Sequence, residues 1–472
     1  MSFKDYYQQL NSQTGIKAYV KKKLFNNLLK ELVEQEKELE KQKVIIKAQE
    51  KTIEEKEQEL KRQERLIHAV TRHITDTVLL REKPGLLIDV THVTAVGNWR
   101  TGLLRPDGKI WMTGISRVVN NLFHQIYNQA ENVVPVQHQS GKFITGYSYL
   151  SHMEGIEEKT DQTVSLQRGD KIFLLDDPWT EFAAFSLMLD MAADRGVKSY
   201  GIVHDLIPVQ YPEVCDNETV LPKYIGWHHM LLQKADAVVC VSRTTADALI
   251  GYYEQMRFVR SRPLAVYFFH EGADIPEGVQ SVREEIRRFV EGGRFTFLMV
   301  GTVEPRKGHG VVLQALQKLP DNIRKECRIL IIGKDGWKNE DVHKMLALPE
   351  LKETTLWVRD GSDEELRWAY NHTGALIAAS LQEGFGLPLV EAAHFGLPLI
   401  CSDIPVFREV TRGNADFFKV MDAEALAECL MKWMQTDRHP DSRKIPVYSW
   451  QESAREVLDI LEGKIEPYKV LQ

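Results

Sequence analysis

Apolar residues recur at every seventh position from Phe25 to Ile74: Phe25, Leu32, Leu39, Ile46, Ile53, Leu60, Ile67 and Ile74. Glu, Lys and Gln fill most of the positions between them, and neither Gly nor Pro occurs from Ile16 to Lys83. A strict seven-residue repeat drives a left-handed supercoil between helices. The second position of the seam is polar (Gln35, Gln42, Gln49, Lys56 and Gln63), so the pattern predicts a weak coiled coil, dimeric or trimeric, over residues 1–80. The other reading is one long solvated helix lying on the rest of its own chain. At about 1.5 Å per residue, fifty residues make a rod of about 75 Å.

Beyond residue 84 the pattern changes. Short apolar runs at Gly85–Val90, Lys171–Leu175, Ser199–Val203, Ala237–Val241 and Leu264–Phe269 alternate with helical patterns such as Gly114–Ala130 and Glu181–Arg195. The same alternation returns after Arg294, with strands expected at Phe295–Val300, Arg328–Ile332, Thr354–Arg359, Ala375–Ala378 and Pro398–Cys401. Strands separated by helices mean a parallel sheet covered on both faces. The fold class is α/β: two Rossmann-like doubly wound domains, 84–276 and 294–446, joined by a helical linker over Glu277–Gly292 and followed by a C-terminal helix and tail, 447–472. Ser449 followed three residues on by Glu452 is a capping box for a helix to Glu462. Ligands of such sheets bind at the carboxyl ends of the strands, so the chemistry belongs in the loops around the cleft between the domains.

Composition narrows the classes of function. The 472 residues are 43% hydrophobic and 27% charged, with net charge −7, which gives no footprint for nucleic acid. Five dispersed cysteines without a CxxC pair read as reduced thiols, neither a disulfide frame nor a zinc site. The polar N-terminus and the lack of an uncharged apolar run near 18 residues place the chain in the cytoplasm, with peripheral contact at the inner face of the membrane left open.

Four loops carry candidate chemistry. In Leu381-Gln-Glu383-Gly384-Phe385-Gly386-Leu387-Pro388-Leu-Val-Glu391, two glycines precede a helix that begins at a proline. Glycine backbone amides and a helix N-terminus suit phosphate. Glu391, about one turn into the helix, is within reach of a ribose diol, and Glu383 stands at the loop mouth. By spacing alone this is equally a tight turn with two surface glutamates. Gly301-Thr-Val-Glu304-Pro-Arg306-Lys307-Gly308 places a planar guanidinium and a compact ammonium just before a helix, either for a diphosphate or as a solvated basic turn. His204-Asp205 follows a buried strand and faces the cleft, where His204 serves a sugar hydroxyl or only its own fold. Thr113-Gly114-Ile-Ser-Arg117 opens a helix after a long polar loop that holds Trp99, Arg100 and Trp111, residues suited to stacking on and gripping an acceptor sugar, or a mere connection.

In this order and on these elements, the four sets resemble the retaining glycosyltransferases of family 4, which have the GT-B fold, over nearly everything after residue 84. Glu383 and Glu391 match the Glu-x7-Glu signature, Gly301–Lys307 the phosphate loop, Ile202–Pro208 the His-Asp segment and Thr113–Ile115 the acceptor-side glycine loop. Glu-Pro-Arg-Lys together with His-Asp-Leu-Ile-Pro is most similar to the bacterial polysaccharide branch, where mannosyltransferases are frequent. The resemblance implies a hexosyltransferase using a nucleotide sugar, GDP-mannose above others, with a glycan or lipid-linked glycan as acceptor. It makes His204, Glu383, Arg306 and Lys307 catalytic. Gly114, Gly384, Phe385, Gly386, Leu387 and Glu391 would join Arg306 and Lys307 in binding the donor. Some members carry Arg directly after the phosphate-loop glycine; Thr302 stands there, which rests the leaving-group charge more heavily on Arg306 and Lys307. The sequence has no Asp-x-Asp, so no metal or other cofactor is expected. The competing readings are a GT-B epimerase or phosphorylase and a catalytically dead scaffold.

The heptads predict a homo-oligomer assembled through residues 25–74. Analytical ultracentrifugation of the full chain is expected to give a dimer or trimer, and of a chain lacking residues 1–80 a monomer. Two monomers would remove self-association.

Overall fold

The chain divides into two units, Met1–Thr75 and Asp76–Gln472. The structure is a computed structural model; it describes residues 78–79, 81–91, 93, 114–147, 161–215, 220–275 and 281–472, with scattered positions between Asp5 and Lys61. The described positions of the first unit are helical, and Leu39 and Leu60 of the heptad series are exposed. Most of the expected coiled coil lies outside the described residues. Among the described residues no helix is long and apolar enough to cross a membrane.

The second unit contains two sheets. The first holds β1 (Leu86–Asp89), β2 (Val133–Gln139), β3 (Lys142–Thr145), β4 (Lys171–Leu174), β5 (Lys198–Val203), β6 (Ala237–Cys240), β7 (Leu264–Phe268) and β14 (Lys469–Leu471), in the order β14-β7-β6-β5-β4-β1-β2-β3. From β7 to β2 all pairs are parallel, while β3 and β14 close the two edges antiparallel. The second sheet, wholly parallel, holds β8 (Phe295–Val300), β9 (Cys327–Ile332), β10 (Thr355–Val358), β11 (Ala375–Ala378), β12 (Leu399–Ser402) and β13 (Asp416–Phe418). Its order is β10-β9-β8-β11-β12-β13. The central strands are apolar end to end because both faces are covered: Ile329, Leu330 and Ile331 of β9 have no exposed surface.

The connecting helices used below are α1 (Ile115–Gln129), α2 (Phe182–Asp194), α3 (Leu221–Lys234), α4 (Arg243–Met256), α5 (Glu284–Glu291), α6 (His309–Lys318), α7 (Asp363–His372), α8 (Leu387–His394), α9 (Pro405–Thr411), α10 (Ala423–Met434) and α11 (Trp450–Glu462). Some elements differ from the sequence pattern. Of the described part of the linker only Glu284–Glu291 is helical, and 276–280 lie outside the described residues. The β2–β3 hairpin, turning through Ser140 (φ 51°) and Gly141 (φ 79°), is absent from the sequence reading; Pro135 inside β2 argues against a strand on sequence grounds.

The chain crosses back to the first domain at its end. Ser449 and Glu452 form the expected capping box. From there α11 lies on α1, where Gln129 Nε2 donates to the Gln451 carbonyl and the Tyr200 hydroxyl to that of Leu461. β14 then pairs with β7, Leu471 opposite Leu264. The tail is thus part of the first domain's sheet.

The domains are also locked at the start of α4. The Ser242 side chain caps this helix through the Thr245 amide. Glu409, on α9 of the second domain, accepts from the amides of Arg243 (2.8 Å) and Thr244 (2.7 Å) and from the Thr244 hydroxyl (2.5 Å). A carboxylate there satisfies orphan amides and faces the positive end of the helix dipole. Burial opposes its ionisation, but hydrogen bonds from His270, Thr244 and the two amides outweigh burial and lower its pKa. A carboxylate with a lowered folded pKa contributes stability that is present above about pH 4.3 and lost as the pH falls through the folded value. Glu409→Ala is expected to cost about 1–3 kcal/mol at pH 7, read as a lower urea midpoint, with the difference from wild type shrinking below pH 4. An unchanged midpoint at pH 7 would remove the cap from the account of domain docking.

Candidate active site

The second sheet reverses its strand order between β8 and β11, which lie side by side. At such a switch point the loops that follow two neighbouring strands flank a crevice at the strand ends. The loop after β8 carries Arg306 and Lys307, and the loop after β11 carries Glu383 to Gly386. Arg306 and Lys307 belong to a short 3₁₀ turn, Pro305–Lys307, that ends at Gly308 in the left-handed region. Leu381 donates its amide to the Arg306 carbonyl at 2.7 Å, which ties the two loops together.

Three charges meet here. Arg306 Nη1 lies 2.8 Å from Glu383 Oε2, and Lys307 Nζ lies 2.5 Å from Glu383 Oε1. Ser380 Oγ donates to the same carboxylate at 2.7 Å, and Arg306 Nε reaches Glu304 at 2.7 Å. Burial raises the cost of charge on Glu383, but Lys307 and Arg306 outweigh it and hold the carboxyl at about 2. Burial disfavours the Arg306 charge too, and Glu383, Glu304 and Asp205 more than restore it. The cations are therefore fixed in place at the mouth of the turn, at no further cost in side-chain ordering.

Gly384 shows why a glycine stands in this loop. A Cβ there would sit 1.9 Å from the His204 carbonyl oxygen of the first domain. Its own carbonyl accepts from Ser242 Oγ (2.6 Å) and Thr245 Oγ1 (3.0 Å). The loop is docked onto the first domain along its length. Gly386, at φ 103°, begins α8 with Pro388 in the first turn, and Phe385 is buried with its ring 5.8 Å from that of His270. Leu387 and Gly386 line the cleft beside them.

The first domain supplies the opposite wall. His204 is buried there, and Asp205 spends one carboxylate oxygen on the Ile207 amide and the Tyr224 hydroxyl, a local role in shaping the loop. Gly114 (φ 56°) caps α1, and among the described residues nothing lies within 4 Å of where its Cβ would be. Together these loops enclose a cleft of about 740 Å³ lined by Gly114, His204, Arg306, Lys307, Gly384 and Glu391 among others. Glu391 is buried on α8; the Tyr370 hydroxyl donates to it at 2.7 Å and Arg117 Nη1 lies 3.2 Å away across the cleft. Its two oxygens are thus held by one group from each domain. Trp99, Arg100 and Trp111 lie outside the described residues.

Arg117 and Glu271 are among the cleft residues to which the sequence analysis gives no role. Glu271, three residues beyond β7, lines the cleft and is 4% exposed. Burial, then Glu383 and Glu391, push its carboxyl up to about 8. The signal was present: an apolar strand followed by His-Glu-Gly is the same strand-end logic that marked His204. Among the described residues no group of three His, Cys, Asp or Glu side chains is arranged to hold a metal.

Comparison with known proteins follows the same outline. Residues 282–464 match the family described as "Glycosyl transferases group 1". The chain is 31% identical over 364 residues to the serotype-specific mannosyltransferase WbdA of Escherichia coli, covering 73% of this chain and 44% of that protein. It is 26% identical over 213 residues to the O-antigen chain mannosyltransferase RfbU of Salmonella typhimurium, covering 45% of this chain and 54% of the relative. This chain therefore spans less than half the length of WbdA. Among solved structures, Anabaena Alr3699/HepE in complex with UDP superposes with TM-score 0.55 at 12% identity over 81% of this chain and all of that one. Sucrose-phosphate synthase from Thermosynechococcus elongatus gives TM-score 0.56 at 15% identity over 81% of this chain and 99% of that one. At such identities the likeness establishes the fold, a two-domain GT-B-like arrangement of parallel sheets. Residues 282–464 are accordingly a glycosyltransferase group 1 domain, set in a GT-B-like pair.

Proposed function

We propose that this chain is a retaining, metal-independent glycosyltransferase of family 4. In this reading it moves mannose from GDP-mannose to a glycan or lipid-linked glycan acceptor in bacterial surface-polysaccharide synthesis. It works in the cytoplasm. The observation that carries this is the convergence of Arg306 and Lys307 on Glu383, at 2.8 and 2.5 Å, beside a helix N-terminus in a cleft of about 740 Å³. The identity to WbdA supports mannose and polysaccharide as the sugar and the product class.

The chemistry follows from charge. As the bond from the anomeric carbon to phosphate breaks, the diphosphate gains negative charge and the sugar becomes oxocarbenium-like. Arg306 and Lys307, already fixed, stabilise the leaving group, with the 384–386 amides and the α8 N-terminus beside them. Glu391 takes the ribose diol, which requires it to release Arg117. Glu383 contacts the sugar, and His204 lies near the anomeric carbon. The acceptor oxygen attacks from the face the phosphate leaves, and a phosphate oxygen takes its proton, so configuration is kept and charge balances.

Lys307→Ala is expected to lower turnover by about 100-fold or more, the usual cost of losing an electrostatic contact made in the transition state. Near-normal turnover would take Lys307 out of this role. A thermal-shift panel of GDP, GDP-mannose, UDP, UDP-glucose, UDP-GlcNAc, ADP-glucose and dTDP-rhamnose identifies the donor. A ligand at about 100 times its Kd adds about 2.7 kcal/mol of stability. GDP is expected to raise Tm and GDP-mannose to raise it further. A response confined to another base would replace guanine, and a flat panel would bring back the dead scaffold.

A further inference from the structure

Four glutamates are among the carboxyl side chains that line the cleft: Glu271, Glu304, Glu383 and Glu391. Three of them have partners. Glu383 is held by Arg306, Lys307 and Ser380, Glu304 by Arg306, and Glu391 by Arg117 and Tyr370. Glu271 has neither a hydrogen bond nor an ion pair with any side chain or amide among the described residues, although only 4% of its surface is exposed. Its carboxyl oxygens are not among the fully enclosed unpaired atoms, so the group opens on the cleft it lines, where a ligand can reach it.

Its backbone is held firmly. Gly272 bridges to Tyr448, and the Ala273 amide donates to the Tyr448 carbonyl at 2.9 Å. A Cβ on Gly272 would lie 2.5 Å from the Trp450 amide nitrogen, so the segment returning from the second domain is pressed against this one residue. The Trp450 amide also donates to Asp274 at 2.6 Å. Glu271 is therefore presented to the cleft from a clamped strand end, which is the way a preorganised binding group is built.

We infer that Glu271 is a specificity-determining residue whose carboxylic acid group hydrogen-bonds a hydroxyl of the sugar being transferred. The inference rests on the proposed transferase activity and adds a residue to it. The side chain comes from the first domain, and of the charged groups that act on it Glu383 is the strongest. Glu383 itself sits against the two cations assigned to the diphosphate, and Glu271 lines the same cleft from the other domain, which on the proposed reading would place it beside the sugar. Burial and the two neighbouring glutamates favour the protonated form at neutral pH. A protonated carboxyl offers one donor and one acceptor, which complements a hydroxyl that also does both. A carboxylate would only accept, and would repel the diphosphate beside it.

The test uses the full chain and the nucleotide sugar that stabilises the wild type. Kd for that nucleotide sugar and for its free nucleoside diphosphate are measured by calorimetry, kcat/KM by transfer or by donor hydrolysis, and Tm without ligand. Glu271→Ala is expected to lower kcat/KM and nucleotide-sugar affinity by about 10- to 100-fold, the effect of leaving a sugar hydroxyl unpaired. Affinity for the nucleoside diphosphate should stay within about twofold, since the lost bond is to the sugar. Glu271→Gln, a neutral group that still donates and accepts, should recover most of the loss. Neither variant should lower Tm, because the side chain they replace has no partner to lose. Equal loss of nucleoside diphosphate affinity in the Ala variant would move Glu271 to the phosphates and overturn the assignment. So would wild-type kcat/KM in that variant, a Gln variant as weak as Ala, or a marked fall in Tm. A wild type that neither binds nor turns over any nucleotide sugar would overturn the transferase reading instead.

Discussion

The Glu383 carboxylate lies between Arg306 and Lys307 with about a tenth of its side chain exposed. Each of these charges alone would be expensive to bury, and each is retained because the others are there. The arrangement constrains the fold from both sides. It requires the loops after β8 and β11 to emerge together, which only adjacent strands at a reversal of strand order allow. It also requires the 380–386 loop to run tightly along the first domain, which only glycine at 384 permits, because the His204 carbonyl occupies the space of a side chain. The same triad explains why the cations need no ordering when an anion arrives. Their geometry is set by Glu383 beforehand, and a diphosphate adds to a preformed frame.

The domains meet through polar contacts of a particular kind. Backbone groups of one domain are satisfied by side chains of the other: Glu409 on the amides of Arg243 and Thr244, Ser242 and Thr245 on the Gly384 carbonyl, and Trp337 and Lys338 on carbonyls of Val214, Glu213 and Cys215. Such bonds are directional, and each is lost outright if the domains separate by more than a fraction of an ångström. The Arg117–Glu391 pair belongs to this set but differs in one respect. Its carboxylate is the one the ribose is proposed to claim, so donor binding exchanges a contact between domains for a contact with substrate. On that proposal the interface would be coupled to the nucleotide, because the two would compete for the same oxygen atoms.

Much of this was legible in the sequence because parallel strands buried on both faces leave continuous apolar runs. β8 and β11 agree with the sequence reading to the residue, and the capping box at Ser449 was visible as a spacing. The hairpin β2–β3 was not, since Pro135 and the run of polar residues Gln137-His138-Gln139 hide a strand whose apolar half faces the core. The three-residue strands β13 and β14 carry too few positions to show any period. Nor does a sequence reveal that α11 and β14 return to the first domain, a fact of topology with no local signal. For the site, the motifs brought His204, Arg306, Lys307, Gly384 and Glu391 to one cleft. What spacing did not supply is pairing. Nothing in the order of residues says that Arg306 and Lys307 share Glu383, or that Glu391 is held by Tyr370 and Arg117.

The glutamates of the cleft make the same point about environment. Their side chains are identical, yet the nearest cations hold Glu383 at about 2, while burial without a cation pushes Glu271 up to about 8. That separation is a property of the neighbours, and the neighbours come from three loops and two domains. A cleft with every carboxyl ionised would oppose a diphosphate, and one with every carboxyl neutral would leave Arg306 and Lys307 uncompensated in the protein interior. In the proposed reaction, pushing the two groups apart in pKa would let one site do both jobs: Glu383 would fix the cations that meet the leaving group, and Glu271 would add a hydrogen-bonding group without adding charge.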